Sequence, residues 1–442
     1  MRTLYHILFL VAFPLSAPYY FLKMWRRGNW RADFRQRFGE YGVKVKQAVT
    51  NRDVLWMHAV SVGEVNLCTQ LIRVLEARAP NLKIVVSTTT TTGMGELRRK
   101  LPSHITSIYY PIDARGYVAR AVAALHPNAV VLVEAELWPN FLWRLRDRGT
   151  PVVLVNARLS ERSYRGYRRF HLLFRPLFGS LAAVGAQNEA DAARLRELGC
   201  RPEAVRVVGS LKFDAAAIEE RRNLDVTALL AQVGVPPNAP ILVAGSTHPG
   251  EEALLAELLP RLRARFPDLF LVLVPRHFER GREVGRELEA RKVKFRYRSE
   301  VVASTRVAPR SLECLLVNTT GELKYFYEAA TVVFVGKSLV GQGGQNPIEP
   351  GALGKAMVFG PHMQNFAAVA ASFVAARGAL QVRDAVELER ALGELLADPG
   401  RRETMGRQAQ AVVRANSGAV ERTAELILEA LDLEATSVAG TG

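Results

Sequence analysis

Glu64 stands in the stretch HAVSVGEV (residues 58–65), directly after Gly63 and downstream of the apolar run Val54, Leu55, Trp56, Met57. That places it in the first turn of a helix that follows a strand. A carboxylate there has two uses. It complements the partial positive charge of the helix N-terminus, worth about 0.3–1 kcal/mol, or it takes a proton from a substrate as a general base, worth about 10²–10⁴ in rate. VLVEAELWPN (131–140) closes a second apolar run with Glu134 and Glu136. A carboxylate finishing a buried strand has to be paired, solvated in a cleft or protonated. For Glu136, capping the next helix and pairing with an arginine is the simpler role. Lys212, in VVGSLKFD, follows the last strand-like run of the first half. It is either a solvated lysine or a partner for Glu134 or an anionic ligand.

The second half offers groups suited to phosphate. Arg276 and His277 follow LFLVLVP directly, and an arginine fork matches a phosphate bidentately. Gly245, Ser246 and Thr247 in AGSTHPGEE precede a helical stretch, as does TTGEL (319–323), and N–H groups at such places accept anions. VGQGGQNPIEP (340–350) is a glycine-rich loop entering a helix near Asn346, with Pro347 early and Glu349 in the first turn. Glu349 is either a capping-box acid or a ligand for ribose hydroxyls. None of these loops is a Walker A or a GxGxxG fingerprint, which argues against ATP and NAD.

The elements that must position these residues are legible as alternation. From about residue 50, short β-rich runs (54–60, 82–88, 129–134, 151–157, 181–186 and 205–210) alternate with helical stretches. In 64–77, Val65, Cys68, Leu71, Ile72 and Leu75 fall on one helical face. The strand runs are almost continuously apolar, as in parallel sheets covered on both faces. Residues 214–239 break the pattern with EERRN and GVPPNAP, and strand-like runs resume at 240–247, 269–274, 315–318, 331–335 and 356–360. Residues 399–433 read as amphipathic helix. The expected architecture is α/β, with two doubly wound domains and a cleft between them; ligands of such sheets lie beyond the carboxyl ends of the strands. Carboxylates on one side and phosphate donors on the other fit glycosyl transfer from a nucleotide-activated sugar. No D-x-D ends a strand, so no metal ion or cofactor is expected; the leaving phosphate would rest on Arg276 and helix N-termini.

The chain has 442 residues, a formal charge of +16 and three widely spaced cysteines, which suits a reducing compartment and excludes a disulfide framework or a C-x-x-C zinc site. Nine Lys/Arg against Asp33 and Glu40 fall in residues 1–50. With no RNP motif, zinc finger or basic–aromatic stripe, nucleic acid is not expected as a partner, and an anionic membrane or substrate is. Residues 3–23 are mostly apolar and about long enough to span a bilayer that needs ~20 residues, though Pro14 and Pro18 interrupt them. The reading is an uncleaved N-terminal anchor, spanning or lying in the interface, with the basic flank keeping the remainder cytoplasmic. A signal peptide cut after Ala17 is the alternative, and Pro18 is a poor first residue for it.

HAVSVGEV, VEAELWPN, VNARLSERS (155–163), AQNEADAARLRELG (186–199), GSLKFD (209–214), GSTHPGEE (245–252), LVPRH (273–277), TTGEL, NPIEP (346–350) and GPHMQNF (360–366) together resemble the 3-deoxy-D-manno-octulosonic acid (Kdo) transferases of lipopolysaccharide synthesis, over nearly the whole chain. The resemblance implies a GT-B fold of two Rossmann-like domains. The expected division is an anchor over 1–25, an acceptor domain over 26–215, a linker over 216–239, a CMP-sugar donor domain over 240–415 and a C-terminal helix and tail over 416–442. It implies an inverting transfer of Kdo from CMP-Kdo to a lipid A precursor, lipid IVA, on the cytoplasmic face of the inner membrane. The family's general base falls on Glu64 and its transition-state residues on Glu134 and Lys212. Its CMP-binding segments fall on Pro275–Arg276, Thr320–Gly321–Glu322 and Asn346–Pro347–Ile348–Glu349. Gln345 stands where a histidine is common and Lys337 where a glycine is common. Rival readings are a GT-B transferase for another nucleotide sugar and a non-catalytic, membrane-tethered nucleotide-binding protein.

Overall fold

The computed structural model describes residues 2–26, 31–134, 137–215 and 224–439. Glu136 and the first part of the expected linker, 216–223, lie outside them. The chain forms two units, Met1–Ala215 with Ser417–Gly442, and Ala216–Asn416.

Among the described residues the first unit holds a seven-stranded sheet of β1 (Val54–His58), β2 (Lys83–Thr88), β3 (Thr106–Tyr109), β4 (Ala129–Val133), β5 (Val152–Ala157), β6 (Ala183–Ala186) and β7 (Val205–Val207), in the order β3-β2-β1-β4-β5-β6-β7. Every pairing is parallel. Parallel strands need crossovers that cover both faces, and the central strands β1 and β4 are accordingly buried at every residue. Trp56, Leu132 and Leu154 pack with Phe141 and Phe178 on one face. Leu55, Met57, Val131 and Val153 pack with Leu71, Ile72 and Leu75 of the helix Val62–Arg78 on the other. Side chains of Ser61, Thr90, Ser160 and Asn188 each accept a backbone N–H in the first turn of their helices, a cap worth about 1 kcal/mol.

The second unit repeats the plan with β8 (Ile241–Thr247), β9 (Phe270–Pro275), β10 (Phe295–Tyr297), β11 (Cys314–Leu316), β12 (Val332–Val335), β13 (Met357–Phe359) and β14 (Leu380–Gln381), in the order β10-β11-β9-β8-β12-β13-β14. These pairings are parallel too. Three strands lie outside the apolar runs of the sequence: β3, β10 and β14, all at sheet edges. Cys68, Cys200 and Cys314 are buried and unpaired.

The C-terminal stretch is helical, in two pieces. It breaks at Gly418, whose φ of 83° is left-handed, into Pro399–Asn416 in the second unit and Ala419–Ala439 in the first. Val420, Ala424 and Ile427, at helical spacing, join the core on the Leu55 face of the first sheet. A Cβ built at Gly185 in β6 would stand 2.9 Å from Val208 and 3.3 Å from Leu426, so a glycine lets this helix lie close to the strands. The joint is held by Asp214, whose two carboxylate oxygens accept the backbone N–H groups of Gly418 and Val420, each at 2.7 Å.

The N-terminal segment is a helix, Arg2–Arg26, with Pro14 and Pro18 inside it. No helix among the described residues is long and apolar enough to cross a membrane, so the expectation of a spanning anchor is not supported. Its first turns dock on the first unit: Arg2 pairs with Asp147 at 2.7 Å, the Tyr5 hydroxyl donates to Asp113 at 2.8 Å, and the Tyr5 ring meets Trp143 edge-on. Leu8, Leu10, Val11 and Leu15 beyond it are exposed.

Asp214→Ala leaves two N–H groups at the start of the last helix without their charged acceptor. It is expected to cost about 3 kcal/mol or more, read as a lower urea midpoint for the first unit. An unchanged midpoint removes Asp214 as the clasp.

Candidate active site

In a parallel sheet all carboxyl ends lie on one edge, and a crevice opens where the strand order reverses. In the first unit that reversal is between β1 and β4. Glu64 follows β1 and Glu134 follows β4. Ser61 is the N-cap of the helix Val62–Arg78: its Oγ accepts the Glu64 N–H at 3.3 Å and donates to Glu64 Oε1 at 2.7 Å, while the Val60 N–H donates to Oε2 at 2.8 Å. The side chain is 8% exposed. The capping role is therefore real, and the same bonds fix the direction of the carboxylate.

Glu134 continues β4 by donating its N–H to the Val155 carbonyl at 3.0 Å, then turns with φ 61°, a left-handed conformation uncommon outside glycine. Beside it in β5, Asn156 has φ 52°, where the β5–β6 register shifts between Leu154 and Ala157. Asn156 is fully buried; its Oδ1 accepts the Leu211 N–H at 3.2 Å, and its Nδ2 has no partner among the described residues. That bond holds the residue before Lys212. Burial lowers the Lys212 pKa; Glu134 opposes the shift most strongly, Arg158 adds to it, and Glu64 opposes it again. The structure thus brings Glu64, Glu134 and Lys212 into one electrostatic group, with Arg158 as a fourth member and Asn156 as its tether. Sequence reasoning passed over both. VNARLSERS was visible as a motif, but only the bulge shows why its asparagine sits there.

His58 ends β1 with no exposure, its ring stacked on Tyr110 and its Nδ1 2.9 Å from Ser87 Oγ. Its Nε2 has no partner among the described residues. Burial drives its pKa from 6.5 down to about 3.

In the second unit, Pro275 ends β9, and the Arg276 N–H bonds the Thr247 carbonyl at 3.0 Å, leaving the exposed guanidinium without a hydrogen bond or ion pair among the described residues. Pro275, Arg276, Thr320 and Gly321 line one cavity of about 170 Å³, with Ser246 and Thr319. Glu322 does not line it. Its carboxylate takes Arg298 at 3.1 Å and the Thr319 hydroxyl at 2.7 Å, which locks the TTGEL loop. Asn346 and Glu349 do not line that cavity; Asn346 Oδ1 accepts the Ile348 N–H and its Nδ2 donates to Glu349 Oε1, both at 3.0 Å. The helix after the glycine loop is short, Ile348–Ala352, with Pro347 as its N-cap. A larger hollow of about 1260 Å³ in the first unit is lined by Asn51, Arg52 and His126, at the amino ends of strands. Arg35 and Arg120, also on its wall, both pair with Glu40. Its place, away from the carboxyl ends, sets it apart from the chemistry despite its size.

Residues 32–215 match the family described as 3-Deoxy-D-manno-octulosonic-acid transferase (kdotransferase). The chain is 35% identical over 425 residues, 93% of its length, to 96% of the 3-deoxy-D-manno-octulosonic acid transferase of Bordetella pertussis. It is 31% identical over 428 residues, 96% of its length, to 98% of the enzyme of that name from Haemophilus influenzae. The chain belongs to the Kdo transferase family. It is thus a glycosyltransferase. Solved structures agree on a fold of the GT-B kind: a glycosyltransferase from Rickettsia africae (TM-score 0.57, 13% identity, 86% of this chain and 99% of that one) and a UDP-GlcNAc 2-epimerase from Neisseria meningitidis (TM-score 0.58, 14% identity, 85% and 100%).

For this Kdo transferase family member, His58 fixes a pH dependence. The unfolded imidazole binds a proton below about pH 6.5 and the buried one only near pH 3, so the unfolded state binds more protons between those values. Stability is expected to fall as pH falls from 6.5 toward 3, and His58→Gln is expected to flatten that slope in urea titrations taken at several pH values. An identical slope in the variant assigns the effect elsewhere.

Proposed function

We propose that the protein transfers Kdo from CMP-Kdo to a sugar hydroxyl of a lipid A precursor, with inversion at the anomeric carbon and release of CMP. The observation that carries this reading is the buried Glu64 carboxylate, aimed by Ser61 and Val60 at the reversal point of the first sheet, with Glu134 at the end of the adjacent strand. A sugar hydroxyl is a poor nucleophile until it loses its proton. Glu64 is the proposed base. Its carboxylate takes the hydroxyl proton as the acceptor oxygen bonds the anomeric carbon, and the bond from that carbon to the CMP phosphate breaks with its electron pair leaving on CMP. Glu134 and Lys212 are a paired acid and cation that steady the charge moving through that step. In the second unit, the exposed Arg276 guanidinium and the Thr320–Gly321 turn are proposed to hold the phosphate, and Asn346–Glu349 to shape the nucleoside side. The proposed step uses no metal ion or cofactor. Names of the Bordetella and Haemophilus relatives support the Kdo part of the reading; the carboxylate group supports the base.

A lipid acceptor places the work at a membrane surface, and the basic first fifty residues suit the anionic cytoplasmic leaflet of the inner membrane, at about 1 kcal/mol per cation near it. The exposed Leu8, Leu10, Val11 and Leu15 support attachment along the surface rather than across it.

Glu64→Gln keeps an oxygen for the Val60 N–H and loses the base. It is expected to bind CMP as the parent does, to melt within a few degrees of it, and to turn over about 10²–10⁴-fold more slowly. Glu64→Ala also removes the reciprocal half of the capping box, the acceptor of the Val60 N–H and the Ser61 hydroxyl, so it is expected to lose about 1 kcal/mol of stability. Mass spectrometry of lipid products from CMP-Kdo and a tetraacyl precursor, with UDP-sugars as competing donors, reads both activity and donor choice. Near-parental turnover by Glu64→Gln removes it as the base.

Leu10→Glu with Leu15→Glu changes only exposed side chains. Co-sedimentation with anionic vesicles is expected to drop severalfold while the melting temperature holds. Unchanged partition argues against attachment through this helix.

A further inference from the structure

The second sheet reverses its order between β8 and β12, so its crevice is flanked by the residues just beyond the carboxyl ends of those two strands, His248 and Lys337. One carboxylate joins them. Glu251 is fully buried; its Oε2 accepts the His248 N–H at 3.0 Å and the Lys337 N–H at 2.7 Å, and its Oε1 accepts the N–H groups of Ser338 and Leu339 at 2.9 and 3.0 Å. The glycine-rich loop then closes over Lys337, with the Gly344 N–H on the Lys337 carbonyl and the Gln345 N–H on that of Gly336.

Lys337 has φ 56°, the left-handed conformation for which glycine is the ordinary choice. Here a lysine occupies it. Its stem lies across the loop's own glycines: a Cβ built at Gly341 would stand 3.3 Å from Lys337 Cγ, and one at Gly343 would stand 3.5 Å from Cε. The ammonium has no hydrogen bond or ion pair among the described residues. Glu251, which lies against the backbone of both residues, is already committed to four N–H groups. His248, with Nδ1 3.2 Å from the Ser246 carbonyl, has its pKa lowered first by burial and also by the charges of Lys337 and His277, against the Ser246 carbonyl and Glu251, which raise it. A half-buried cation at a binding crevice, laid on a loop built to let it lie there, calls for an anion.

The proposed donor carries two. Its phosphate and its carboxylate hang from the same anomeric carbon, so two anion subsites must lie side by side. Arg276 follows β9 and Lys337 follows β12, and β8 lies between those strands. Resting on the donor reading above, we propose that Lys337 forms a second anion subsite in this unit, beside the Arg276 loop, which takes the carboxylate of the sugar donor.

Lys337→Met keeps the stem and removes the charge, and Lys337→Gly relieves the left-handed residue, so neither threatens the fold. Titration calorimetry with CMP and with CMP-Kdo separates the subsites, because CMP has the phosphate and lacks the carboxylate. Both variants are expected to bind CMP-Kdo about ten- to a hundredfold more weakly while CMP affinity stays within about twofold. Lys337→Arg is expected to retain most of the donor affinity. Equal losses for CMP and CMP-Kdo place Lys337 on the phosphate and overturn the proposal, as do unchanged affinities for both. A parent protein that binds neither ligand fails the donor reading itself and takes the subsite with it. Retention of CMP with loss of CMP-Kdo only in the variants is the result that stands.

Discussion

The structure depends on parallel pairing. A parallel strand cannot pass directly to its neighbour, so each crossover runs over a face of the sheet and every strand ends on the same edge. Both faces are then buried, and each sheet has one rim, at the carboxyl ends of its strands, where a side chain can be polar and still do chemistry. In each unit the rim opens where the strand order reverses. Glu64 with Glu134, and His248 with Lys337, are the residues that follow the strands flanking those two points.

Loops on such a rim carry backbone N–H groups with no strand to bond, and this protein meets them repeatedly with buried carboxylates. Glu64 takes Val60; Asp113 takes Asn140 and Phe141; Asp191 takes Leu159; Asp214 takes Gly418 and Val420; Glu251 takes four N–H groups. A buried carboxylate is costly unless its lone pairs are used, and each such bond to a charged acceptor contributes about 1.5–3 kcal/mol. These acids do for the loops what the ladders do for the strands. An acid at a strand end in this fold is thus a fastener first, and a catalytic role is an addition to it. Glu64 shows both demands in one residue, held by Ser61 and Val60 and sensed by Lys212.

The central strands were legible because burial on both faces makes a run apolar without interruption, as in Val54–Met57 or Phe270–Val274. The edges were not. Thr106–Tyr109 and Phe295–Tyr297 are short and only partly buried, and Leu380–Gln381 is two residues long, so none shows a continuous apolar run. The return of the last helix to the first sheet was hidden for another reason. Its apolar spacing states that it has a partner and is silent on which one; the deciding features are the break at Gly418 and the clasp at Asp214, more than two hundred residues away in sequence. In the sites, the residue types and strand ends were readable, but not the division of labour. Glu322 and Asn346 spend their polar atoms within their own loops, and that is decided only by where Arg298, Thr319 and Ile348 are placed.

Four of the left-handed residues other than glycine lie on this rim. Glu134 and Asn156 follow or end adjacent strands of the first sheet, and Ser246 and Lys337 do the same in the second. Each costs of order 1–3 kcal/mol that glycine would spare. At Glu134 and Lys337 a glycine would also lose a charged side chain at the crevice, and at Asn156 the amide that holds the Lys212 segment. The strain is retained at the positions where a side chain has something to meet, and Gly336, where a Cβ would strike the Ser246 carbonyl at 2.5 Å, shows the opposite choice one residue before Lys337. Adjacent positions of one loop thus divide the two needs: a glycine where backbone must approach backbone, and a lysine where the crevice needs a charge.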